Sequence, residues 1–195
     1  MIATKKKNPF PPGDFGIWLI VYIELITFAL LFLGYAFSRR LDVELFNNSQ
    51  LLLDKTSGFL NTIILITSSY FVVRAIESIK LMDFQEAKKT SSRYLLLAMS
   101  LGSFFLINKA MEFYEKAEQG IDLSTNTFFM FYILLTAFHF LHVILGMVIL
   151  FNLRQNTKKG MYNSLDYKGM ETGAIYWHLI DLLWIVLFPL IYIIR

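Results

Sequence analysis

The chain is 195 residues long, 56% hydrophobic and only 17% charged, with nineteen Phe, ten Tyr and a mean hydropathy of +0.53. A soluble domain carries about 25% charged residues, so this composition argues against one. A net charge of +3 is too small to recruit nucleic acid. The absence of cysteine excludes a disulfide, a thiolate metal site, an iron–sulfur cluster and a cysteine nucleophile.

The few charges are unevenly placed. Crossing roughly 30 Å of hydrocarbon takes about 20 residues of helix, and five nearly charge-free blocks meet that length: residues 17–37, 59–79, 94–114, 128–150 and 175–194. They predict an all-α polytopic membrane protein, a bundle of five transmembrane helices forming a single integral membrane domain over residues 1–195. Membrane strands would instead alternate in polarity over segments of about ten residues. Residues 1–13 are polar and Pro-rich, without a secretory pattern, so the first block is expected to persist as a span. Pro189, near the end of the last block, is expected to kink its final turns.

Basic residues orient the spans, because Lys and Arg are retained on the cytoplasmic side. Lys5, Lys6, Lys7, Arg74, Lys80, Lys88, Lys89, Arg93, Arg154, Lys158, Lys159 and Lys168 fall on the side of the N-terminus. Arg39, Arg40, Lys55, Lys109, Lys116 and Arg195 fall opposite. The N-terminus is therefore predicted cytoplasmic and the C-terminus external. The first connection, LDVELFNNSQLLLDKTSG, carries an apolar run at 51–53 suited to the membrane interface. No connection has room for a separate core. Walker, Rossmann and HExxH motifs are absent, as are internal repeats of the kind that build transporters.

Polar groups inside the blocks are the candidate functional residues, because each is costly in hydrocarbon. Glu24, in LIVYIELITF, lies roughly 10 Å deep at 1.5 Å per residue and should face protein. It suits helix–helix hydrogen bonding, a lipid head group or a proton. Arg74 and Glu77 share a helix face near the cytoplasmic interface and suit an ion pair. Lys109 can meet Glu112 in the same way, and with Glu115 the set reads as interfacial anchoring. His139 and His142, in TAFHFLHVILG, share a face in mid-span. They are compatible with hydrogen bonding between helices, with a metal or haem site completed by His178, or with proton handling. Gly146, one turn on, suggests close helix approach. In AIYWHLIDLLWIVLF at 174–188, Asp181 is expected to accept the His178 imidazole proton and form a polar clamp. Nothing here supplies a nucleophile, so no residue is assigned a catalytic role.

Five segments in order resemble subunit III of the haem–copper oxidases, the cytochrome c oxidase subunit III family. They are LNTIILITSS at 60–69, LLLAMSLGSFFLINKAMEFYE at 95–115 with Glu112 in the glutamate position, and AFHFLHVILG at 137–146. Glu171 followed by YWHLIDLLWIVLF at 176–188 resembles the C-terminal signature, and Glu24 falls at the acidic position of the first shared helix. The resemblance implies an accessory subunit of the short, five-span bacterial form, packed on the catalytic subunit I among the other subunits of an oxidase in the bacterial inner membrane. It implies that haem and copper reside in that partner and none in this chain. It also implies that phospholipid is held and that proton uptake by the partner is sustained. Tyr167 and Lys168 stand where many members carry histidines, and the opening PPGDFGIWLIVYIE is closer to a short branch found beside nitric oxide reductases. An auxiliary membrane protein of a nitric oxide reductase is therefore the alternative, and a haem- or metal-binding membrane redox protein a further one.

Overall fold

The computed structural model describes residues 11–194; Lys5, Lys6, Lys7 and Arg195 lie outside the described residues. The chain forms helices α1 (Phe15–Leu41), α2 (Val43–Gln50), α3 (Lys55–Leu81), α4 (Phe84–Glu118), α5 (Thr127–Lys159) and α6 (Lys168–Phe188), closed by a π-helical turn at Pro189–Ile193. No strand occurs among the described residues. All the helices except α2 are long and apolar enough to cross a membrane, α6 together with the π turn.

Each spanning helix overruns its charge-free block. α4 has 35 residues, roughly 52 Å at 1.5 Å per residue, against hydrocarbon of about 30 Å. The blocks end where charge begins, but Lys, Arg and Glu are good helix formers, so the helix continues into the interface. Side-chain caps set several starts. Asp42 accepts from the Leu45 amide, Asp54 from the Thr56 and Ser57 amides, and Asn126 from the Phe129 amide.

The first connection folds as α2, and of its apolar run only Leu53 is buried; Leu51 and Leu52 are exposed. The kink expected at Pro189 takes the form of the π turn, in which the Ile194 amide donates to the Pro189 carbonyl at 2.9 Å. Proline cannot donate a backbone bond at its own position, which favours the switch.

α6 is the central element. In its most apolar window 61% of residues are buried, against 17% for α1, which touches the bundle along Ile17, Val21, Phe28 and Tyr35. α3 and α4 form a hairpin, and both bury small residues, among them Ser68 and Ala75 on α3 and Ser91 and Ala98 on α4. Such side chains let helix backbones approach, and the Ser68 hydroxyl donates to the Ala98 carbonyl at 2.9 Å. The close approach expected at Gly146 is present. A Cβ there would lie 2.6 Å from Ile180 and 2.9 Å from Trp177, and one on Gly102 would lie 2.6 Å from Met147 and 3.0 Å from Trp177. The two glycines thus form the slot that seats the Trp177 indole.

Candidate functional site

Several polar groups inside the spans are held by residues of other helices. The largest cluster lies toward the Gln50 end of the bundle. Lys109 on α4 is fully buried, and its ammonium lies 3.1 Å from Glu112 Oε1. It donates to the hydroxyl of Tyr192 at 2.6 Å and of Tyr132 at 3.3 Å. Both tyrosines donate in turn to Glu112 Oε1 at 2.6 Å. The rings of Phe113, Tyr132, Trp184 and Tyr192 surround the ammonium with centroids 4.8 to 5.7 Å away, an arrangement that favours a cation over the ring faces. The Lys109–Glu112 pairing is the one expected from spacing, but its place is not. The pair is a buried hub joining α4, α5 and the π turn, and not an interfacial anchor. Glu112 also lines a cleft of about 300 Å³ with Asp54, Ser57, Asn108 and Glu115, while its Oε2 is buried without a hydrogen-bond partner.

Glu24 and His142 bring α1 and α5 together. The Glu24 carboxyl is 3.0 Å from His142 Nε2, a close pair short of an aligned hydrogen bond. His142 Nδ1 lies 2.8 Å from the Phe138 carbonyl. A carbonyl only accepts, so Nδ1 carries a proton and Nε2 is the nitrogen turned to Glu24. His139 does not share this setting. It is fully buried between Phe105 and Trp184, with ring centroids 5.8 and 5.2 Å away. Neither of its nitrogens has a hydrogen-bond partner. The shared face expected for the two histidines is thus corrected: His142 turns to α1, and His139 packs as an aromatic ring against α4 and α6.

The expected His178–Asp181 clamp is also corrected. Asp181 Oδ2 is 3.8 Å from His178 Nδ1, beyond hydrogen-bond reach. That nitrogen is instead hydrogen-bonded to the Ser69 hydroxyl on α3. At the Asp14 end of the bundle, Arg74 pairs with Glu77 at 2.8 Å, as the spacing predicts. Glu171 pairs with Lys80 at 2.9 Å, tying α6 to α3.

Sequence reading missed Tyr132, Tyr192 and Ser69, which are ordinary residues for a membrane helix and gain their roles from contacts distant in the chain. It also missed Gln50, which donates from Nε2 to the Ile191 carbonyl at 2.7 Å and to that of Ile194 at 3.1 Å. Among the described residues no three His, Asp or Glu side chains converge as a metal-ligand set.

These features define a class: a polytopic α-helical membrane protein, several of whose embedded polar side chains join one helix to another. The chain belongs to the cytochrome c oxidase subunit III family, whose sequence profile matches residues 13–195. It is 29% identical to cytochrome bo(3) ubiquinol oxidase subunit 3 of Buchnera aphidicola subsp. Acyrthosiphon pisum over 92% of this chain and 85% of that one. Against cytochrome c oxidase subunit 3 of Synechocystis sp. the identity is 30%, covering 92% and 74%. Against the Bacillus sp. (strain PS3) protein of the same name it is 29%, covering 96% and 86%.

Proposed function

We propose that the chain is a non-catalytic accessory subunit of a terminal haem–copper respiratory oxidase, placed in the bacterial inner membrane with its N-terminus cytoplasmic and its C-terminus external. In this reading haem and copper belong to the partner catalytic subunit. This chain supports assembly, holds phospholipid and sustains proton uptake by that partner. The observation that carries the proposal is the family match over residues 13–195. It is supported by the engagement of Lys109, Glu112 and His178 with other helices. The relatives bear the names of oxidase subunits, which favours an oxidase over a nitric oxide reductase as the neighbour.

The site residues take proposed roles accordingly. Arg74, Glu77, Glu112, His139, Glu171, His178 and Asp181 are packing and helix-tying positions. Glu24 and His142 face each other at the loosely packed α1 and are the pair best placed to exchange a proton. The test is removal of this subunit from the purified oxidase complex. Turnover should begin near the intact rate and then decay faster, with the loss growing as pH rises and protons become scarcer. Unchanged durability and an unchanged pH profile would overturn the reading.

A further inference from the structure

Between residues 173 and 188 every residue of α6 is buried except Ile175, His178, Leu182, Ile185 and Val186. The first four are spaced three, four and three residues apart, as are the seam positions along which one helix packs into another. They form the strip of α6 that its neighbouring helices leave open. The strip runs beside α3, where His178 Nδ1 is hydrogen-bonded to the Ser69 hydroxyl. It also runs beside the segment leading into α1, where a Cβ on Gly13 would lie 2.8 Å from Ile175. On α3, Ile66 and Val73, about a turn to either side of Ser69, are exposed as well. His178 is the one polar residue of the strip. Its side chain is 37% exposed, and among the described residues Nε2 has no hydrogen-bond partner. Asp181 does not supply one, because it is buried and its carboxyl stands 3.8 Å from Nδ1.

The span that contains α6 covers Lys168–Ile193, which places His178 about 4 Å from its midpoint at 1.5 Å per residue. Head groups do not reach that depth in hydrocarbon about 30 Å thick, and acyl chains offer no hydrogen bond. An imidazole held there is costly unless protein satisfies it. We infer that the strip receives one transmembrane helix of a neighbouring subunit, and that this helix places a hydroxyl or carboxamide against His178 Nε2. This assignment presupposes the chain's proposed place in an oxidase complex. The seam supplies the spacing along which the incoming helix packs, and its apolar members meet that helix on either side of the histidine. A group that both donates and accepts satisfies Nε2 in either tautomer, whichever way the Ser69 hydrogen bond runs. A charged group would carry its own desolvation cost into the seam. The incoming side chain is therefore Ser, Thr, Asn or Gln.

The test uses the full membrane complex, with a benzophenone amino acid placed at position 182 and cross-linked by light. The expected product joins position 182 to an apolar span of another subunit that carries Ser, Thr, Asn or Gln within a turn of the linked site. A second readout is the fraction of this chain that stays on the complex through a detergent wash, measured by native mass spectrometry. Leu182→Trp should weaken retention about fivefold or more by overpacking the seam. Leu182→Met, which keeps the volume, should leave it unchanged. His178→Phe should hold the chain about threefold to thirtyfold more weakly than Ser69→Ala, because both lose the bond between α3 and α6 and only the first loses Nε2. Cross-links to lipid alone within an intact oxidase would overturn the inference. So would a linked span without such a side chain, or equal retention of His178→Phe and Ser69→Ala. If the wild-type chain co-purified with no haem–copper subunit, the oxidase reading itself would fall, and this inference with it.

Discussion

Lys109 on α4 donates to the Tyr192 hydroxyl at 2.6 Å, across 83 residues of sequence. The final turn of the chain is therefore held by a buried cation, whose charge is balanced by Glu112 on its own helix. Two charges removed from water need both their attraction and full hydrogen bonding to be tolerable. Here Tyr132 and Tyr192 provide much of that bonding, each donating to Glu112 while accepting from Lys109.

Glu112→Ala strands the ammonium among aromatic rings. Breaking a buried pair from one side costs about 3–5 kcal/mol, so the thermal midpoint of the solubilised complex should fall sharply. Lys109→Met combined with Glu112→Leu should recover much of the loss. A double variant as unstable as the single one would show that the penalty is not uncompensated charge.

Tyr192→Phe keeps the ring and removes one hydroxyl from the hub. Side-chain hydrogen bonds in membranes contribute about 0.6–2 kcal/mol, and the expected destabilisation lies in that range. Hydrogen exchange of the π-turn amides should accelerate more than that of mid-α6. Uniform acceleration along α6 would place the effect elsewhere.

Ser69→Ala should destabilise the complex more than Asp181→Ala. Ser69 hydrogen-bonds His178 Nδ1, whereas Asp181 stands 3.8 Å away. The loss expected for Ser69→Ala is about 0.6–2 kcal/mol. The opposite ranking of the two variants in a thermal scan would restore Asp181 as the histidine's partner.

Gly146→Val should disrupt the α5–α6 contact, because its Cβ alone would come within 2.9 Å of the buried Trp177 ring. Overpacking of this kind costs about 1–3 kcal/mol. A shift and broadening of tryptophan fluorescence should accompany the loss. Wild-type emission with wild-type stability would mean that the slot can widen freely.

Asp14, just before α1, binds Lys168 at 2.6 Å and Thr172 on α6. The Lys168 ammonium, and after it the Thr172 hydroxyl, hold its carboxyl below the ordinary value of 3.8. A lowered carboxyl value means the contact is fully present above the unfolded value and lost as pH falls through the folded one. Protection of the Asp14 amide, which donates to Thr172 Oγ1, should stay constant from neutral pH down to about 4 and fall only in stronger acid. Asp14→Asn should abolish that acid step.

The five spans were legible because charge-free length is a property of the sequence itself. Two pairs within one helix were legible for the same reason, Arg74 with Glu77 and Lys109 with Glu112, although the same spacing misled for His178 and Asp181. Contacts between helices were not legible. His139 and His142 are separated by about 60° around the helix at 3.6 residues per turn, enough to direct them to different neighbours. Asp181 was the apparent partner of His178 because it is near in sequence, while the actual one, Ser69, lies 109 residues earlier. α2 escaped notice because its buried side chains, Phe46, Ser49 and Gln50, include only one apolar residue.

The bracket formed by Arg39 and Gln50 has a bearing on biogenesis. These two side chains take the carbonyls of Ile191 and Ile194, at 2.7 Å for Gln50 to Ile191 and 2.7 Å for Arg39 to Ile194. The receptor for the last turn is made by the ribosome some 141 residues ahead of its guest. A nascent chain stopped short of Pro189 would therefore leave the Arg39 and Gln50 side chains without these carbonyl partners.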